Sequence, residues 1–161
     1  SKLLEWDHLQ PGSKTPLRFK VLLELCRRFH EEPMNLGVQF SSSRDIYNYF
    51  QTRLGNLKQE RFIIVILDNK HRFLSETTVT VGLLNRSLVH PREVFAEAIE
   101  QRAAAIICIH NHPSGDSSPS EEDKRITRRL QESGELLGIP LLDHIIISKE
   151  DFTSFADEGW L

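Results

Sequence analysis

The run His110-Asn111-His112-Pro113-Ser114-Gly115-Asp116-Ser117-Ser118-Pro119-Ser120-Glu121-Glu122-Asp123 holds the residues best able to do chemistry. It follows directly on the apolar stretch Ala103-Ala104-Ala105-Ile106-Ile107-Cys108-Ile109. Two histidines two positions apart at the end of a strand face the same side, because side chains alternate with period 2. Pro113 and Gly115 then break the strand and turn the chain, Ser120 opens a helix, and Asp123 lies in its first turn. Two imidazoles and one carboxylate are thereby brought together. His110, His112 and Asp123 are candidate metal ligands. Three protein ligands with a fourth place left for water is the pattern of a catalytic zinc site, as opposed to a closed structural one, so Zn²⁺ is the expected cofactor.

Simpler readings exist for each part. Ser120-x-x-Asp123 ahead of a helix is also a capping box, and one serine can both cap the helix and face a metal. The histidine pair taken alone reads as turn or surface residues. The string His-Asn-His is not the signature of HNH nucleases, whose named residues lie far apart on a ββα element. A cytidine-deaminase-type site would need a C-x-x-C pair, and the chain has two cysteines, Cys26 and Cys108, far apart.

His110-x-His112, seven residues, Ser120, two residues, Asp123 resembles the H-x-H-x(7)-S-x(2)-D signature of JAMM (MPN-type) metalloproteases. The wording around it is similar to the bacterial RadC branch: Val89-His90-Pro91-Arg92-Glu93 upstream, Leu142-Asp143-His144-Ile145-Ile146-Ile147 downstream, and the ending Phe155-Ala156-Asp157-Glu158-Gly159-Trp160-Leu161. The resemblance runs over residues 43–161. It implies a three-layer α/β domain of the JAB/MPN, cytidine-deaminase-like type over 42–161, and a zinc-dependent metallopeptidase or isopeptidase acting on a peptide or protein. RadC-like proteins usually carry a helix-hairpin-helix region ahead of this domain. Residues 1–41 would then be a truncated or degenerate remnant plus linker, with Glu24–Arg28 as the end of its last helix and Gly12 as a relic of its glycine hairpin. The alternative is that the helix over 16–30 packs on the domain or on a second subunit. A link of RadC-like proteins to DNA repair supplies a second functional reading, a metal-dependent nuclease or DNA-processing accessory.

Zinc lowers the pKa of a bound water to about 7 and polarises a carbonyl. A base must still take the water's proton and deliver it to the leaving nitrogen, and a carboxylate that does not bind the metal suits this. By resemblance that glutamate begins the first buried strand, a place Glu60 occupies. Glu76, read as an exposed strand residue, and Glu93, a first-turn acid with a helix-dipole explanation, are the alternatives. Ser120, again by resemblance, hydrogen-bonds the oxyanion or the water. Asp143-His144 reads either as a pair orienting a ligand or as a structural histidine in a sheet. Ser114 and Asp116 shape the turn. Arg125, Arg128 and Arg129 read as a solvated helix face, or as contacts to an acidic tail or phosphates near the metal.

These residues need a scaffold, and the periodicity supplies one. Phe19, Leu22, Leu23, Cys26 and Phe29 mark a helix over 16–30, and 31–41 reads as linker. Ser42-x-x-Asp45 starts a helix carrying Ile46, Tyr47, Phe50 and Leu54, which Gly55 ends. The continuous run 62–67 reads as a strand buried on both faces. A second strand spans 72–81, and 82–90 is a loop or a short third strand. A helix over 91–102 has Pro91 at its first position and is marked by Val94, Phe95, Ala98 and Ile99. Strand 104–110, helix 120–137 with Ile126, Leu130 and Leu137 inward, and strands 141–148 and 152–155 follow. Strands alternating with helices give a mixed sheet covered on both sides.

At 161 residues and 39% hydrophobic the chain can bury one full core. Its net charge of −3 is not that of a non-specific nucleic-acid binder, so a nucleic-acid partner lacks support from charge. Two cysteines make no disulfide framework, the start lacks a signal-peptide core, and no apolar run nears the ~20 residues of a membrane span. A cytoplasmic protein with no membrane partner is expected. The apolar face of helix 16–30 would suit a homodimer.

Overall fold

In the computed structural model residues 21–22, 36–82 and 89–161 are described. All of these but residues 21–22 belong to one compact unit, Met34–Leu161. The helix expected over 16–30, and with it the helix-hairpin-helix remnant and the dimer face, lies outside the described residues except for Val21 and Leu22, which are helical. Most of the 82–90 loop lies outside them too.

Helix α1, Ser43–Leu54, begins where Ser42 Oγ accepts a hydrogen bond from the Asp45 backbone N–H, and it buries Ile46, Tyr47, Phe50 and Leu54. Strand β1, Arg61–Leu67, is buried from Phe62 onward, as its unbroken apolar run requires. The Asp68 carboxylate shapes the turn after it by accepting from the N–H groups of Lys70 and Arg72. Strand β2, Phe73–Val81, returns antiparallel beside β1. The end of the expected linker is pinned to this hairpin, since Gln39 bridges Arg72 and Phe73 N–H donates to the Val38 carbonyl at 2.7 Å.

Helix α2, Pro91–Glu100, has Pro91 in its first turn and His90 as N-cap. Ile99, which shares the helical spacing, is 53% exposed, because the helix ends a residue later and its buried stripe stops at Ala98. Strand β3, Ala105–Asn111, is buried throughout. Helix α3, Glu121–Leu137, opens with the complete capping box of Ser120 and Asp123 and closes on Gly138 in the left-handed conformation. Leu137, expected inward, is 48% exposed, because the inward stripe ends at Gly134. A Cβ on Gly134 would lie 2.5 Å from the Ile139 carbonyl oxygen and 3.2 Å from the Phe95 ring, so only glycine fits where α3 turns back onto the sheet. Strands β4, Leu141–Ile147, and β5, Phe152–Ser154, finish the domain.

The sheet is mixed, in the order β2-β1-β3-β4-β5, with only β3 and β4 parallel. Alternate residues of the same strands supply two cores. Ile63, Val65, Leu67, Ile107, Ile109, Ile145 and Ile147 meet α1 on one face. Phe62, Ile64, Ile66, Ile106 and Cys108 meet α2 and α3 on the other. The result is the expected three-layer α/β domain. The parallel β3–β4 pair needs a crossover, and α3 provides it. The chain therefore leaves the end of β3 and enters α3 at the same end of the sheet, which is what brings His110, His112 and Asp123 together.

Candidate metal centre

His110 lies on the α2/α3 face of β3, wholly buried, and His112 stands just past the strand with its side chain 13% exposed. Their Nε2 atoms are 2.8 Å apart. From α3, Asp123 brings Oδ1 to 3.4 Å from His110 Nε2 and Oδ2 to 3.6 Å from His112 Nε2. The three candidate ligands thus converge on one point.

What fills that point is set by the proton positions. His112 Nδ1 is 2.7 Å from the Asp116 carbonyl oxygen, which only accepts, so Nδ1 carries a proton and the neutral ring presents a bare Nε2. The Asp123 carboxylate accepts from the backbone N–H of Ser120 at 2.7 Å and from its hydroxyl at 2.6 Å, both on Oδ2. A bare imidazole nitrogen and a carboxylate facing a second imidazole at these distances repel unless a cation or proton lies between them. A tetrahedral zinc with Zn–N near 2.0–2.1 Å separates two nitrogens by roughly 3.4 Å. The cluster fits a metal of that size with a small outward adjustment of His112.

The electrostatics agree. Burial, then the neighbouring His144, hold His110 well below the ordinary histidine range, so it stays neutral and able to bind a metal. Burial alone would lower His112, but the Asp123 carboxylate, the Asp116 carbonyl and the Glu60 charge outweigh it and raise it. Burial opposes the charged form of Asp123, yet the histidines and Ser120 keep it a carboxylate far below its usual range.

The three candidate bases separate clearly. Glu76 forms an ion pair with Arg53 of α1, so it sits on the sheet face opposite the histidines and is neither free nor in the site. Glu93 is paired with its neighbour Arg92 at 2.9 Å on an exposed helix start. Glu60 is the one whose charge acts on His112. Its backbone is fixed on both sides by buried Asn111, whose Oδ1 accepts from Arg61 N–H at 2.8 Å while its Nδ2–H donates to the Gln59 carbonyl at 3.1 Å. The residue between the two histidines therefore ties the segment carrying Glu60 to the strand carrying His110.

Ser120 takes the capping role: its Oγ accepts from Asp123 N–H at 3.2 Å while donating to Oδ2. To meet an oxyanion its hydroxyl would have to turn from that carboxylate. Asp143 and His144 do not act as a pair through the ring. The Asp143 carboxylate accepts from the His144 backbone N–H, the Ser154 hydroxyl and the Ala156 N–H, fastening β4 to β5. The His144 ring instead reaches His110, with Nε2 2.8 Å from His110 Nδ1. Its other nitrogen, Nδ1, is 2.6 Å from the Thr127 hydroxyl. Asp116 does shape the turn, accepting from Ser118 N–H, but its backbone carbonyl also orients His112. Of the arginines, Arg125 pairs with Glu122 and Arg129 Nη2 lies 2.9 Å from His90 Nε2. The Cys108 thiol is buried and pushed far up by that burial, so it offers no nucleophile.

Sequence reasoning missed Thr127, Asn111 and the Asp116 carbonyl. Thr127 follows Asp123 by four positions and so shares its helix face, a signal open to reading. A backbone carbonyl leaves no trace in a side-chain pattern.

Comparison with known proteins gives the family. The profile described as "RadC-like JAB domain" matches residues 40–160. UPF0758 proteins of Syntrophotalea carbinolica and Thermotoga maritima are 46% and 43% identical to the chain, each over 93% of it and over 66% and 67% of their own lengths. The UPF0758 protein of Methanosarcina mazei is 43% identical over 100% of the chain and 69% of its own length. The chain spans about two thirds of the length of the curated relatives it matches. It belongs to the RadC-like JAB domain family. Among the described residues no helix is long and apolar enough to cross a membrane.

Proposed function

We propose that this member of the RadC-like JAB family is a zinc-dependent hydrolase of amide bonds, a metallopeptidase or isopeptidase acting on a peptide or protein substrate in the cytoplasm. The observation that carries the reading is the convergence of two histidine Nε2 atoms 2.8 Å apart with the Asp123 carboxylate. His110, His112 and Asp123 would hold the ion, which when bound would acidify a water to a pKa of about 7 and polarise the scissile carbonyl. Glu60 takes the proton of the attacking water and passes it to the leaving nitrogen, so that one water is added across the C–N bond. Asn111 keeps Glu60 in place for both transfers. Ser120 holds Asp123 through two hydrogen bonds and would serve a developing oxyanion once its hydroxyl turns. A histidine-rich single-ion site suits amide hydrolysis better than phosphodiester cleavage, which more often uses carboxylate-rich or two-metal sites.

The test is hydrolysis of a peptide and isopeptide panel by protein carrying one zinc per chain. Cleavage lost on chelation and restored by zinc is expected. Zinc-loaded protein that leaves every amide intact, or that cleaves nucleic acid instead, contradicts the reading.

A further inference from the structure

We propose that Thr127 and His144 fix the tautomer of His110, turning its bare Nε2 toward the metal position before a metal arrives. The inference rests on the metal-site reading above and adds two positioning residues to it.

A threonine hydroxyl has one proton. Thr127 Oγ1 lies 2.7 Å from the Asp123 carbonyl oxygen, which can only accept. Two oxygens that close repel without a hydrogen between them, so the proton is there. Toward His144 Nδ1, 2.6 Å away, Thr127 must then accept, and Nδ1 must carry the imidazole proton. His144 is wholly buried, and among the described residues no carboxylate hydrogen-bonds its ring, so the ring is neutral. Its Nε2 is therefore a lone pair. That lone pair accepts from His110 Nδ1 at 2.8 Å, which leaves His110 Nε2 bare. Phe155, stacked on the His144 ring with centroids 5.0 Å apart, and Phe62, edge-on to it at 5.4 Å, hold the ring in plane.

The path starts on the backbone of Asp123 and ends on the ring of His110. It locks one ligand from α3 to one from β3 through β4. Were Thr127 to donate to His144 instead, every proton along the path would reverse. His110 would then carry its proton on Nε2, the atom needed for the metal. His112 lies beyond this path: its Nδ1–H goes to the Asp116 carbonyl, and the proton between its Nε2 and His110 Nε2, 2.8 Å apart, belongs to His112 in metal-free protein.

The test is ¹⁵N NMR of the histidine rings in metal-free protein at neutral pH, with zinc titrations of wild type, Thr127→Val and Thr127→Ser. Wild-type His110 should be protonated on Nδ1. Thr127→Val keeps the shape but removes the acceptor; it should move His110 toward the Nε2-protonated form and weaken zinc binding about 10- to 100-fold. Thr127→Ser should restore both. A wild-type His110 protonated on Nε2 overturns the proposal even if the valine variant fails to fold. So does a folded Thr127→Val protein with unchanged tautomer and affinity. Correct tautomers in a protein that binds no zinc would sink the hydrolase reading and leave this one standing; zinc bound with the opposite tautomer would do the reverse.

Discussion

The two faces of the sheet are made from alternate residues of the same strands, yet they are held in different ways. On the α1 face, Ile107, Ile109, Ile145 and Ile147 meet Phe50 and Leu54 in an apolar core, beside which lie the buried polar side chains of Asn111 and Asp143. On the other face the apolar packing of Phe62, Ile64, Ile106 and Cys108 gives way, at one end, to His110, His144, Thr127 and Asp123, joined by hydrogen bonds in a fully buried cluster. Apolar packing is non-directional and tolerates small shifts. A buried polar chain works only when each donor meets its acceptor, and it fixes proton positions as well as atoms. The α1 face thus rests mainly on apolar packing, and the other face adds a directional polar cluster at one end.

Changes to the two faces should separate. Glu60→Gln should retain zinc and lower turnover by about 10²–10⁴-fold, read as kcat on whichever peptide the screen finds; activity within a few-fold of wild type removes Glu60 as the base. Phe50→Ala, at a wholly buried site of the α1 face, should cost about 3–5 kcal/mol in denaturant unfolding while zinc affinity of the folded protein stays as it was. Coupled loss of both would show that the faces are not independent.

Acid sharpens the contrast further. Burial pushes His144 down to about 4, and it holds His110 below its ordinary range as well. Unfolded histidines titrate near 6.5. Between about 6.5 and 4 the unfolded chain therefore binds more protons than the folded one, and stability falls as pH falls through that window. Metal-free protein should lose on the order of 3 kcal/mol there from His144 alone, measured by urea unfolding at stepped pH. A flat profile across the window would mean that the buried histidines are not neutral. The smallest effect belongs to Glu76→Gln, which breaks a partly exposed pair with Arg53. It should cost about 1 kcal/mol or less and leave turnover unchanged, whereas a large loss of turnover would return Glu76 to the site.

Much of this was legible in the residues, for physical reasons. The run 62–67 announces a strand covered on both sides, because only such a strand dispenses with alternation. Ser120, Asp123 and Gly138 mark the ends of α3, because caps are made by side chains and by a left-handed glycine. The candidate ligands were legible because strand period and helix start both bear on the loop between them. What escaped was set through space. The pairing of His110 opposite Phe62 and of Cys108 beside His144 is a property of the sheet order, which no single strand encodes. Ile99 and Leu137 fit the helical period, but each lies at the end of its helix, past the last buried residue. Asp143 and His144 are adjacent in sequence and therefore point to opposite faces, which is why their side chains serve different partners.

The most direct measurement is metal content by elemental analysis of purified wild type beside His112→Ala. About one zinc per chain is expected in the wild type, with loss of it in the variant. A wild type that neither carries zinc nor binds it when supplied, or a His112→Ala protein that keeps its full zinc, would contradict the metal centre on which the proposed function stands.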